Sequence, residues 1–596
     1  MKSRLFQLLI LSTLSLTSCS LFNFDTYTVI EKDIEVFDID ALDSTNKLSS
    51  GYQATIKAAF KEGQEYIPYV TLEQYASLYG KHLSSDVVSE VKDYEYFSYW
   101  TITKGGSYYF VAEVNPSSKS IRYGGSLEAA YATNDDPRDL KALTHAMNTT
   151  TENKSESGSG YTDLSYKNYG INSIKYNNQN YYPLSLLDNS FSSNSYIYFE
   201  YNYKHILSTR DVESYATKYY IDSGVEYSFD TQMESAKSDN DIPSYLVKFN
   251  AGMFLYTMDN FYGLKDYKKI SSFAKYCKSV EVYDGLYSSH GPTRVQAYSD
   301  ALSILDDNHT VLYSANDTWD ESNFARRRYG ESAYNRSVTK QTLSQYRKAA
   351  YGSYQEDGVV KASTPEKDIL YSQDGKTALF SFDSFEYGTT SQVFNDDDSI
   401  KATAKNYDTF YKLIDAFNRI KAKGGVNNVI LDIALNGGGV VGVLFKLLAL
   451  ISKDNNGYFC FYDDLSKQAA VYNVKVDSNG DGEYNALDCF GNDFNIYLLT
   501  SDASFSCGNA FPCIAQIKKS AKIIGQKSGG GECAVGTHYM PNSEYVYHSS
   551  NLHIGYFNET TNKFEGFESG ATPDIVVPMN QDFYSIDNLN NIIKNA

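Results

Sequence analysis

Two serines separated by one residue, Ser504 and Ser506, lie in the turn Thr500-Ser-Asp-Ala-Ser-Phe-Ser506-Cys-Gly-Asn-Ala-Phe511. The run Asp493 to Thr500 ahead of them reads as an apolar strand. Behind them, Phe511 to Lys519 reads as a helix and Ala521 to Gly525 as a further strand. A hydroxyl at a strand-to-helix turn on the carboxyl end of a sheet is placed for nucleophilic attack. A serine in such a turn also simply caps helices, so the turn gains meaning from its surroundings.

Upstream, Asn427-Asn-Val-Ile-Leu-Asp-Ile-Ala-Leu-Asn-Gly-Gly-Gly439 runs from a buried-type strand into three glycines, followed by the apolar helix Val440 to Ser452. Glycines there let backbone N–H groups face a ligand, and the helix start adds partial positive charge, which suits an oxyanion. The alternative is a tight turn needed for strand-to-helix packing. A third pattern is Asp477, Asn479, Asp481, Asn485 and Asp488, with Gly482 at the sixth position of the run. Oxygen-bearing side chains at positions one, three, five, nine and twelve fit a calcium loop. Its flanks, Ala470 to Val476 and Phe490 to Leu499, read as strands, so an acidic hairpin loop remains the other reading.

Four segments in order carry a family resemblance: Asp306-Asp-Asn-His-Thr310; Lys376 to Phe385; Asp432 to Gly439; and Ser504-Phe-Ser506 with Ile523-Ile-Gly525, Gly529-Gly-Gly531, Phe567-Glu-Ser-Gly570 and Pro573-Asp574. The chain resembles the C-terminal processing (tail-specific) serine peptidases, in their tricorn-core and interphotoreceptor-retinoid-binding-protein-like branch. That resemblance implies Ser506 as nucleophile, His309 as general base and Glu568 as the carboxylate orienting it. It also implies an oxyanion hole at Gly438 and Cys507, a supporting role for Asn308, and no required cofactor. The lysine of the serine–lysine branch falls at Gly531, and the arginine of the glycine turn is Ala434. Pro512 stands where the nucleophile's helix should run, so that helix is expected to start late or kink. Cys507 beside Ser506 is an alternative thiol nucleophile. Taken alone, His309 also reads as a structural histidine at a helix end and Glu568 as a surface carboxylate.

The elements that must position these residues follow from patterning. Residues 26–240 are rich in Tyr, Ser and Asn with short alternating strands, a β-rich region of one or two modules. Glu65 to Leu72 and Asn180 to Leu187 form a faint repeat, and Thr149 to Ser159 reads as a linker. Helical periodicity over Ser244–Tyr256, Tyr267–Ser279 and Thr293–Leu305 makes 241–310 a helical region delivering His309. Residues 311–365, including Arg326 to Arg328, read as a polar connecting segment without a complete PDZ module. Residues 366–580 form the catalytic core, and the resemblance implies a crotonase-like layered α/β fold for it.

Lys2 and Arg4, the apolar run Leu5 to Leu16 and Leu16-Thr-Ser-Cys19 resemble a bacterial lipoprotein signal over residues 1–19, lipidated at Cys19. An ordinary secretory leader is the alternative. The expected setting is the cell envelope, lipid-tethered to a bacterial membrane, with peptide or unfolded protein as substrate. A net charge of -20 over 596 residues argues against a nucleic-acid partner. The six cysteines beyond Cys19 permit disulfides in that compartment. No Cys-x-x-Cys or His-x-x-x-His spacing occurs, and no zinc site is expected. The alternatives to a lipid-anchored serine endopeptidase are a catalytically inactive relative that binds peptides or apolar ligands, and an adhesin acting through its N-terminal region.

Overall fold

The computed structural model describes residues 27–41, 47–48, 51–125, 140–155, 160–192, 197–209, 219–222, 225–228, 242–314, 330–351, 368–541 and 544–595. Cys19 and the expected signal over residues 1–19 lie outside the described residues, as do Arg326 to Arg328. Among the described residues no helix is long and apolar enough to cross a membrane.

The centre of the molecule is a six-stranded sheet. Its strands run, in spatial order, Ile369–Tyr371, Thr377–Ser381, Asn428–Asp432, Asn495–Thr500, Lys522–Gly525 and Ile575–Val576. All neighbours are parallel except the first pair. Parallel strands are covered on both faces, so they read as continuous apolar runs, and their side chains alternate between two cores. Val429 and Leu431 enter one core with Phe410, Leu448 and Phe511, from the helices Thr409–Lys423, Val441–Leu450 and Cys507–Lys518. Ile430 enters the other with Leu343, Tyr351 and Leu589, from the helices Glu331–Tyr351 and Ile586–Asn595. The expected layered α/β core is therefore present, preceded by the helices Ser244–Phe261, Phe273–Ser279 and Gly291–Ser303 and by a β-rich region.

Four details depart from the sequence expectations. The linker at Thr149 to Ser159 is instead largely strand: Met147–Ser155 pairs along its whole length with Gln468–Val476 of the core. The repeat does not mark two separate modules. Tyr69–Thr71 and Gln179–Pro183 pair antiparallel in one sheet, and each feeds directly into a helix, Leu72–Tyr79 and Leu184–Leu187. The connecting segment contains the helix Glu331–Tyr351, whose apolar signal is thin because one of its buried residues is Arg347. That arginine is fully buried between Asp383 and Asp432, with N–O distances of 2.7 and 2.9 Å. Lastly, the helix Cys507–Lys518 starts directly after Ser506 and runs through Pro512.

Candidate active site

Ser506 stands between the strand Asn495–Thr500 and the helix Cys507–Lys518, with φ 57° and ψ -124°. A non-glycine residue there costs about 1–3 kcal/mol, and its surroundings hold it in place. The Ser506 N–H donates to the Gly530 carbonyl at 3.0 Å, while its own carbonyl accepts from Asn509 at 2.9 Å and Ala510 at 2.8 Å. The two serines of the turn are not equivalent. Ser504 is fully buried, its hydroxyl donating to Ile433 at 2.8 Å and accepting from Ser501 at 3.1 Å. The Ser506 hydroxyl has no hydrogen-bond partner among the described residues and is partly exposed. Cys507 is buried, its thiol pushed up to about 12 by desolvation and directed to the Gly439 carbonyl at 3.1 Å. A neutral buried thiol is a poor nucleophile, so the thiol alternative loses its chemical basis.

The glycine turn closes over Ser506. A Cβ on Gly438 would come within 2.7 Å of the Ser506 Cβ, and Gly438 and Gly439 adopt φ values of 112° and 133°. Glycine is required there by both space and backbone conformation. The Gly438 N–H donates to Asn436 Oδ1 at 2.9 Å. In this arrangement it is not free to serve an oxyanion, which corrects the expected role of that amide. Asn436 takes it because its side chain ties the turn together, also donating to Phe382 at 3.2 Å. The N–H groups of Cys507, at the helix N-terminus, and of Gly439 have no intramolecular acceptor among the described residues.

The base side is assembled from three other segments. Asp307 shapes the histidine turn, accepting from the His309 N–H at 3.0 Å and the Thr310 hydroxyl at 2.6 Å. The His309 ring meets the Phe505 ring edge-on at 4.7 Å, so it lies beside the residue preceding Ser506. Its Nδ1 is buried without a hydrogen-bond partner among the described residues, as is Asn308 Oδ1. Desolvation lowers the His309 pKa and Arg336 lowers it further, against the opposing charge of Asp307. The imidazole is thus neutral near pH 7, the form a general base needs. Glu568 accepts from the Gly531 and Glu532 N–H groups, both at 3.0 Å. Desolvation nevertheless raises its carboxyl to about 7. Ser506 and Glu568 therefore converge on one segment, Gly529 to Cys533, and His309 packs on Phe505, which lies against Gly531 of that segment, but no hydrogen bond joins one of the three to the next among the described residues.

Sequence reasoning missed the helix Glu331–Tyr351 as a wall of the site. Arg336 lies 4.6 Å over the Phe505 ring and donates to the Gly529 carbonyl at 2.9 Å. Thr339 donates to Asp502 at 3.2 Å, and a Cβ on Gly437 would lie 3.2 Å from Lys340 Nζ. The useful signal would have been Arg336, Lys340 and Arg347 at near-helical spacing in a segment read as solvated. In the loop at 477–488, carboxylate oxygens of Asp477, Asp481 and Asp488 lie within 4.8 Å of one another. Asn479 and Asn485 accept from the N–H groups of Asp481 and Leu487, both at 2.8 Å, and the three aspartates likewise accept backbone N–H groups of the loop.

Residues 389–577 match the model of peptidase family S41. No curated protein matches the chain. Among solved structures it is similar to a candidate peptidase from Parabacteroides merdae, at 17% identity over 57% of this chain and 92% of that one, with a TM-score of 0.37. The photosystem II D1 C-terminal processing protease shares 14% identity over 37% of this chain and 50% of that one, with a TM-score of 0.23. Mature CPAF complexed with lactacystin shares 13% over 59% and 97%, with a TM-score of 0.35.

Proposed function

From the premise of a serine-type peptidase domain of family S41, we propose a lipid-anchored, extracytoplasmic endopeptidase that cleaves exposed or unfolded peptide segments through an acyl-enzyme on Ser506. The observation that carries this reading is the strained Ser506 turn, with an unengaged hydroxyl beside the free Cys507 N–H and the close-packed glycine turn.

In the proposed reaction, a peptide carbonyl enters beside Ser506, and the neutral His309 imidazole takes the hydroxyl proton as Oγ attacks. The oxyanion is held by the N–H groups of Cys507 and Gly439. Donors of this kind are worth about 3 kcal/mol each in transition-state stabilisation. His309 then returns the proton to the leaving amine, and water resolves the ester by the same route. Glu568 acts as the orienting carboxylate, which requires His309 and Glu568 to approach when substrate fills the site. The unlinked His309 Nδ1 leaves a specific second reading, a relative that binds peptide in this groove without cleaving it.

Cys19 supplies the lipid anchor in this proposal, and the loop at 477–488 holds calcium through Asp477, Asp481 and Asp488, bracing the approach to the nucleophile strand. Calcium is expected to raise the melting temperature of the parent but not of Asp477→Ala; equal behaviour of the two would remove calcium from the account.

The main test incubates the soluble protein, lacking residues 1 to 19, with an unfolded protein and a fluorophosphonate probe. The proposal expects cleavage, and label on Ser506, both absent from Ser506→Ala. A folded parent that binds peptide with neither label nor cleavage would support the binding reading.

A further inference from the structure

The start of the hairpin Cys533–Met540/Glu544–Asn558 gathers three side chains of a metal-binding type outside the Ser506 turn. Cys533 and His553 are direct cross-strand partners, and the register slips between Cys533 and Val535. Such a bulge re-aims neighbouring side chains, which lets Glu532 and Cys533 face the same histidine. His553 Nδ1 lies 2.9 Å from Glu532 Oε1 and 3.6 Å from Cys533 Sγ. The three ligand atoms all fall within 4.8 Å of one another, and all three residues are buried. The second imidazole nitrogen, Nε2, is buried without a hydrogen-bond partner among the described residues.

We propose that Glu532, Cys533 and His553 form a binding site for a thiophilic divalent cation of the zinc class. Tetrahedral zinc with ordinary bond lengths sets nitrogen and sulfur ligands about 3.6 Å apart and nitrogen and oxygen ligands about 3.3 Å apart. The histidine–thiol spacing already matches, and the histidine–carboxylate hydrogen bond needs to open by only a few tenths of an ångström. Thiolate and imidazole select zinc-class ions over calcium or magnesium. A thiolate and a carboxylate also balance the double positive charge, so the buried complex is neutral overall. On binding, the thiol S–H bond breaks as the sulfur–metal bond forms and its proton leaves to solvent, the imidazole proton shared with Glu532 moves from Nδ1 to Nε2 so that Nδ1 can ligate, and no oxidation state changes.

The surroundings fit an occupied pocket. Glu532 Oε2 accepts the Glu568 N–H at 2.7 Å, which leaves Oε1 for the metal and ties the site to the Gly529–Cys533 segment that supports Ser506. Gly566 gives this carboxylate room, since a Cβ there would come within 2.1 Å of Oε2. Linear zinc spacing is absent because the ligands meet across strands.

The test does not depend on the peptidase reading. The full chain, with calcium in excess, is titrated with cobalt as a spectroscopic probe, and zinc is then added. One equivalent of cobalt should give tetrahedral visible bands and a near-ultraviolet thiolate charge-transfer band, all displaced by zinc. Cys533→Ser should lose the charge-transfer band. His553→Gln should bind at least about tenfold more weakly. Cys460→Ser should match the parent. The proposal fails if the parent shows no charge-transfer band, or if the band and affinity survive in His553→Gln. That second arm decides even if Cys533→Ser does not fold.

Discussion

The nucleophile side and the base side of the site are built differently. Around Ser506 nearly every contact is backbone: the Gly530 carbonyl holds its N–H, Gly438 packs on its side chain and the helix start leaves the Cys507 N–H free. Around His309 the parts come from the histidine turn and the helix Glu331–Tyr351, which meet on Phe505, and from the Glu568 loop, which holds the Gly531 and Glu532 N–H groups. Backbone at the end of a parallel sheet is fixed by the sheet, so the nucleophile side is preorganised without substrate. The base side depends on distant segments meeting, so it is where closure must occur.

The largest expected effect would come from Arg347→Met, which takes the cation from the fully buried Asp432 and from the partly buried Asp383. A loss of about 3–5 kcal/mol in urea unfolding is expected. Whatever protein remains folded should still label at Ser506, because the turn itself does not use this pair. Loss of labelling in the folded fraction would show that the nucleophile side also leans on the helix.

Gly438→Ala probes the nucleophile side directly. The added Cβ meets Ser506 at a backbone angle unfavourable to alanine. A fall in kcat of about 10²–10³ with little change in KM is expected, similar to the loss of an oxyanion donor. An unchanged kcat would break the claim that this packing is required.

Glu568→Gln sharpens the base side through pH. Because burial raises the Glu568 carboxyl to about 7, its contribution to stability is complete below about pH 4.5 and is lost as pH rises through 7. Glutamine cannot ionise, so the variant should melt a few degrees above the parent at pH 8 and level with it near pH 4. A variant less stable than the parent at pH 8 would mean that the ionised carboxylate is already paired.

The two sides also differed in how well the sequence revealed them. The strand, turn and helix units around Gly438 and Ser506 were legible because apolar runs ending in glycines or serines encode them locally. Residues 428–432 and 495–500 fell close to their expected positions. The helix Glu331–Tyr351 was not legible, since Arg347 looks solvated until Asp432 and Asp383 are placed around it. Thr149 to Ser159 read as a linker because the strand Met147–Ser155 that it overlaps is slightly buried and is supported by backbone pairing to a distant strand. The Cys533–His553 pair is likewise a product of register rather than spacing.

The most direct test of the central claim, that His309 activates Ser506, is the rate of Ser506 labelling by a fluorophosphonate against pH, in the parent and in His309→Gln. In the parent the rate should rise with pH, with a midpoint below the ordinary histidine value, since desolvation depresses the His309 pKa. In the variant it should be about 10²–10⁴ slower and lack that step. Equal rates with the same pH step in both proteins would contradict the account and place the base elsewhere.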